Sequence, residues 1–161
     1  MGAIQMVAAQ LASRGPRAKL AAVTLAEKQQ QLIADYLVIP DSQERLAAVV
    51  DQARRRPPLP ETERTEANRV HGCVSLAWVV GERRAGRCHF RSDADSPLVR
   101  GLLVLLCDFY SDAAAEDVAA TEPALLEELG LARNLSPTRL NGLRSVRAKI
   151  REYAAAAARS P

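Results

Sequence analysis

The sequence predicts an α+β fold, a small antiparallel β-sheet packed against helices. Three observations carry this. Hydrophobic residues make up 48% of the chain but aromatics only 4%, so the core must be mostly Leu, Val and Ala, which suits helices better than an all-β sandwich. Helix-start signals recur along the chain. Only one pair of neighbouring segments, Val74–Val80 and Arg87–Ser92, reads as strand. At 161 residues the chain is long enough for one domain and short for two.

Thr24 and Glu27 have the spacing of a capping box. They predict a helix with Leu25, Leu32, Ile33 and Tyr36 on its apolar face. Pro40 ends it. Asp41 and Glu44 repeat the signal, and Leu46, Ala47, Val49, Val50 and Ala53 mark the buried side of a second helix. Pro57, Pro58 and Pro60 then hold the chain out of helical geometry, so 55–72 reads as a surface loop. Val74–Val80 is apolar and β-branched, 82–86 reads as a turn, and Arg87–Ser92 alternates as a return strand. A lone hairpin is too small to be stable, so it must pack on the helices, with Trp78 in the core. Ser96 and Pro97 open the next helix as N-cap and first helical residue. It is apolar nearly all round from Leu98 to Phe109, so it should be central and buried. Short helices are expected near 112–119 and 123–129, the second ended by Gly130. Ser136 and Pro137 open a last long helix striped by Leu140, Leu143, Val146, Ile150 and Tyr153. Its alanine run, 154–158, is expected to fray.

The formal charge of +3 is not that of a dedicated nucleic-acid binder. It is unevenly placed. Acids from Asp108 to Glu128 fall in a stretch without Lys or Arg, and the chain after Arg133 is basic with Glu152 as its only acid. Two ordinary solvated helix faces are the favoured reading, with partner steering as the other. No apolar run approaches the ~20 residues of a membrane span. Three cysteines, odd in number and widely spaced, form neither a disulfide framework nor a CxxC metal site. They read as thiols of a reducing compartment. Residues 1–23 read as a flexible extension and 24–157 as the domain. The cytoplasm is the expected location, and the acid-free start of the chain leaves an organelle open.

Among the thiols, Cys73 stands out. Gly72 lets the backbone turn where a side chain would crowd it, as a thiol on a loop tip requires. With the turn centred on Arg84 and Ala85, paired residues sum to about 169. Cys73 then faces Ser96, and Val74 faces Asp95. The start of the helix after Ser96 would lower the thiol pKa, whereas Asp95 would raise it. Cys88 would lie more than ~20 Å away, too far for a bridge. Cys88 and Cys107 read as inert core residues. His71, two residues before Cys73, reads as a loop residue that tunes the site, and His89 as a strand surface residue.

The segment Asn68-Arg69-Val70-His71-Gly72-Cys73-Val74-Ser75, with Trp78-Val79 after it, resembles the Asn-x-Val-x-Gly-Cys segment of SufE-like proteins, the sulfur acceptors of iron–sulfur cluster biogenesis. Ser92-Asp93-Ala94-Asp95-Ser96 resembles that family's acidic turn. Val99-Arg100-Gly101-Leu102 resembles its helix start. Leu135-Ser136-Pro137-Thr138-Arg139-Leu140-Asn141-Gly142-Leu143 is similar to its Leu-(Ser/Thr)-Pro-(Ser/Thr)-Arg-x-x-Gly motif. Leu76 departs from the Gln often found there. The resemblance spans roughly residues 24–155.

The resemblance implies a SufE/IscU-like fold and persulfide acceptance on Cys73 from a PLP-dependent cysteine desulfurase of the SufS type. It also implies stimulation of that desulfurase and delivery of sulfur to a SufBCD-like scaffold. His71, Gly72, Ser75, Asp95 and Arg139 would support the site, with Arg139 near the Cys73 loop or an anionic persulfide. The protein would be a carrier rather than an enzyme, with no cofactor or metal of its own, and a monomer or weak dimer. No nucleic acid and no membrane are expected as partners. The competing readings are a stand-alone peroxide-reducing thiol enzyme and a basic nucleic-acid-binding module.

Overall fold

The computed structural model describes residues 23–161; the expected extension lies outside the described residues except for Val23. Helix α1 spans Leu25–Leu37, and its capping box is formed in both directions. The Glu27 amide donates to Thr24 Oγ1 at 3.2 Å and the Thr24 amide to Glu27 Oε2 at 2.9 Å. Helix α2 spans Ser42–Arg54 and starts at Asp41, whose carboxylate accepts from the Gln43 and Glu44 amides.

The 55–72 segment is a structured strap with two short 3-10 turns, Glu61–Glu63 and Glu66–Asn68. Arg91 grips Glu63 through two hydrogen bonds of 2.7 and 2.8 Å. The Asn68 side-chain amide donates to Glu63 O at 2.8 Å.

The two strands are β1, Ala77–Arg84, and β2, Arg87–Ala94, an antiparallel pair running from Ala77↔Ala94 to Arg84↔Arg87. The predicted turn is corrected by one residue. Ala85 and Gly86 both have positive φ, 49° and 78°, which is what a two-residue turn matching strand twist needs. The strand also starts three residues later than expected, so Val74–Leu76 belong to a loop. Trp78 is not core. It is half-buried, with the Arg64 guanidinium 5.5 Å above its ring.

Helix α3, Pro97–Tyr110, is central as expected. Leu102, Leu103, Leu106, Phe109 and Tyr110 are completely or almost completely buried. Short helices α4, Ala115–Ala120, and α5, Leu125–Glu128, lead to the long α6, Pro137–Arg159. Where fraying was expected, α6 continues to Arg159, because Ala154 is fully buried and Ala157 packs against the core.

The acidic and basic stretches are not merely two solvated faces. Arg147 of α6 is buried and donates to Thr121 O at 2.7 Å. Its guanidinium lies 4.9 Å from the centre of the Tyr110 ring. Glu122 lies 3.4 Å from Arg147 and 3.8 Å from Arg151. Among the described residues no helix is long and apolar enough to cross a membrane.

Candidate functional site

Cys73 sits in a short loop closed at both ends by backbone hydrogen bonds. The Val70 amide donates to Ala77 O at 2.8 Å, and the Asp95 amide donates to Leu76 O at 3.1 Å. Residues 71–76 therefore project from the base of the hairpin. Gly72 has φ +89°, a conformation L side chains rarely adopt. A β-carbon there would also lie 2.8 Å from Ser145 Oγ on α6. One turn earlier on α6, a β-carbon at Gly142 would lie 2.7 Å from Cys73 Sγ. Two glycines, one on each partner, thus seat the loop against the helix.

The thiol lines a cleft of about 310 Å³. Val99 and Leu102 of α3 and Leu143 of α6 give it an apolar wall; Ser136, Thr138 and Arg139 add polar groups from the start of α6. Ser75 and Val74 line it from the loop. Burial raises the thiol pKa above its ordinary value; desolvation penalises the thiolate. Neither of the expected electrostatic influences decides the thiol's state. Cys73 is half-buried, a property its sequence context leaves open. Its neighbour Val74 is 87% exposed and Leu76 is also exposed, so the loop pairs a shielded thiol with an apolar outer surface.

The other predicted residues divide. Gly72, Ser75 and Arg139 meet around the thiol or the helix it rests on. His71 does not: its ring is exposed and its Nε2 lies 3.0 Å from Glu66 Oε1. Asp95 is exposed and anchors the loop through its backbone. It neighbours Leu76 rather than facing Val74, because the register differs from the predicted one. Cys88 and Cys107 are buried and unbridged. Burial pushes Cys107 up to about 12 and also raises Cys88.

The acid that organises this end of the molecule is Asp93, not the expected Asp95. It is only 3% exposed. Its carboxylate lies 2.7 Å from Arg64 Nη2 and 3.0 Å from Arg100 Nε, and it accepts from the Leu59 amide at 3.0 Å. The strap, β2 and α3 are thereby tied together beneath the Cys73 loop. No pattern in the Asp93-Ala94-Asp95 triplet distinguishes the structural acid from the exposed one.

The SufE family pattern, described as an Fe–S metabolism associated domain, matches residues 30–154. An uncharacterized SufE-like protein of Rhizobium etli is 36% identical over 129 residues, which cover 77% of this chain and 87% of that protein. A SufE-like protein of Rhizobium meliloti is 30% identical over 129 residues, 77% of this chain and 92% of its own. A solution structure of a hypothetical protein from Thermus thermophilus shares the fold with a TM-score of 0.64 at 22% identity, covering 83% of this chain and 97% of that one.

Proposed function

The chain belongs to the SufE family of Fe–S metabolism proteins, and from that premise we propose that it is a sulfur carrier whose acceptor atom is Cys73 Sγ. The donor is the persulfide of a SufS-type cysteine desulfurase, and the recipient is a SufBCD-like scaffold. The observation that supports this most is that Cys73 turns its thiol into a cleft from a loop whose outer surface, at Val74 and Leu76, is apolar.

The chemistry is an exchange at sulfur. Partner contacts to Val74 and Leu76 draw the loop away from Gly142. The thiol then leaves its desolvated position and loses its proton to solvent or to a base in the partner. The thiolate attacks the terminal sulfur of the donor persulfide. A new S–S bond forms on Cys73, the donor's S–S bond breaks, and the donor cysteine leaves as a thiolate. The step needs no outside oxidant or reductant. Returned to the cleft, the persulfide is shielded from water and thiols, and Arg139 at the start of α6 offers it a positive charge. Delivery repeats the exchange, with Cys73 as the leaving thiolate.

A stand-alone peroxide-reducing thiol enzyme fits less well. Its thiol should be stabilised as thiolate at rest, whereas burial raises that of Cys73.

The test is desulfurase turnover, read as alanine formed from cysteine by a SufS-type enzyme. The wild-type chain should accelerate it, and Cys73→Ser should not. Equal acceleration by both proteins would remove Cys73 from the function.

A further inference from the structure

Leu143 lines the thiol cleft and also a second cavity that sulfur transfer does not use. This groove has a volume of about 510 Å³, within the range of small-molecule sites. Its apolar lining comes chiefly from Leu106, Leu126, Leu140 and Leu143. Three arginines of α6, Arg144, Arg147 and Arg151, share the lining with two acids, Glu122 and Glu127.

The charges do not cancel. Glu122 is already engaged by Arg147 and Arg151. Arg144 pairs with no carboxylate among the described residues; its Nη1 donates to the Asn141 side-chain oxygen at 3.0 Å. Arg147 is buried, and its Nε and Nη1 have no hydrogen-bond partner among the described residues. Buried donors without acceptors are costly. Those two nitrogens are closed off from the surface, so Arg147 acts on the groove through its charge, and the lining combines an apolar surface with an excess of guanidinium.

We propose that this groove binds an amphiphilic monocarboxylate, with its alkyl chain on the leucines and its carboxylate at Arg144, in the field of Arg147. The chemistry narrows the ligand. A small inorganic anion would leave the leucines bare, and an alcohol would leave the guanidinium without a counter-charge. Three arginines against two acids leave one positive charge in the lining, which one carboxylate balances and a dianion exceeds.

The proposal stands apart from sulfur transfer and is tested on the full chain with octanoate, titrated by calorimetry below its micelle concentration. Saturable binding with one site per chain is expected, tighter than for 1-octanol. Arg144→Gln should weaken it about two- to five-fold. Arg144 is exposed, so this variant should keep the wild-type circular dichroism spectrum. Arg139→Gln is the decisive control, because the thiol cleft also joins apolar surface to an arginine; octanoate binding should be unchanged in it. Absence of saturable binding, equal binding of 1-octanol, or loss in Arg139→Gln rather than Arg144→Gln would overturn the assignment.

Discussion

Cys73 Sγ rests against the α6 backbone at Gly142, so near that a β-carbon there would lie 2.7 Å from it. Real β-carbons do not approach a heavy atom so closely, and the side chain that can yield is that of Cys73, on a loop. Gly142→Ala should therefore displace the thiol rather than the helix. Alanine is favoured over glycine inside a helix by about 1 kcal/mol, so stability should stay within about that amount of wild type. Alkylation of Cys73 by iodoacetamide should become several-fold faster. An unchanged alkylation rate would show that the loop is not seated by this contact.

Thiol titration gives a second expectation. Burial raises Cys73 above the ordinary thiol value, so the pH–rate profile of its alkylation should have a midpoint above that of a free cysteine. In Gly142→Ala the midpoint should move down toward the ordinary value as the thiol gains water. Mass mapping of the alkylated peptide keeps this separate from Cys88 and Cys107.

Stability should depend on alkaline pH with a defined sign. Cys107 is pushed up to about 12 from an ordinary 9.0, so the unfolded chain releases this proton first. The stabilisation is fully present below the ordinary value and is lost as pH rises through the folded value. Urea unfolding midpoints should fall across this range, and Cys107→Ala should flatten the fall. An equally steep fall in that variant would assign the effect to other groups.

Asp93→Asn should be the most disruptive single change near the site. It removes the charge that Arg64 and Arg100 meet at 2.7 and 3.0 Å. Breaking a buried pair costs about 3 kcal/mol, and urea unfolding reads it. Hydrogen exchange at the Leu59 amide, which donates to the same carboxylate, should accelerate as the strap loosens.

Val74→Ser should separate docking from folding. At 87% exposure the valine contributes little to the fold, so stability should change by less than about 0.5 kcal/mol. If a desulfurase buries it, losing its apolar surface should weaken the complex by about 1–2 kcal/mol, roughly ten-fold in Kd. Unchanged affinity in a binding titration would place the docking contacts elsewhere.

Much of the scaffold was legible because its signals are local. Thr24, Asp41, Ser96 and Ser136 cap the predicted helices by side-chain hydrogen bonds to nearby amides, and the apolar wrap of α3 announced its burial. The hairpin register was not, because Ala85 adopts a positive φ that its type does not advertise. Val74 and Leu76 carry strand-like chemistry yet lie in a loop, held there by the Val70–Ala77 and Asp95–Leu76 backbone pairs. Gly72 announced a turn. The fit of Cys73 against Gly142 joins residues far apart in the chain, and no periodicity encodes such a contact. The same holds for Asp93, whose role depends on Arg64 and Arg100 arriving from other elements.

Uptake of a sulfur atom by Cys73 is read by intact mass. The chain is mixed with a SufS-type desulfurase and cysteine, separated without reductant, and weighed. A gain of one sulfur atom is expected that maps to the Cys73 peptide, vanishes on reduction and is missing in Cys73→Ser. No mass gain beside an active desulfurase, or the same gain in Cys73→Ser, would contradict it.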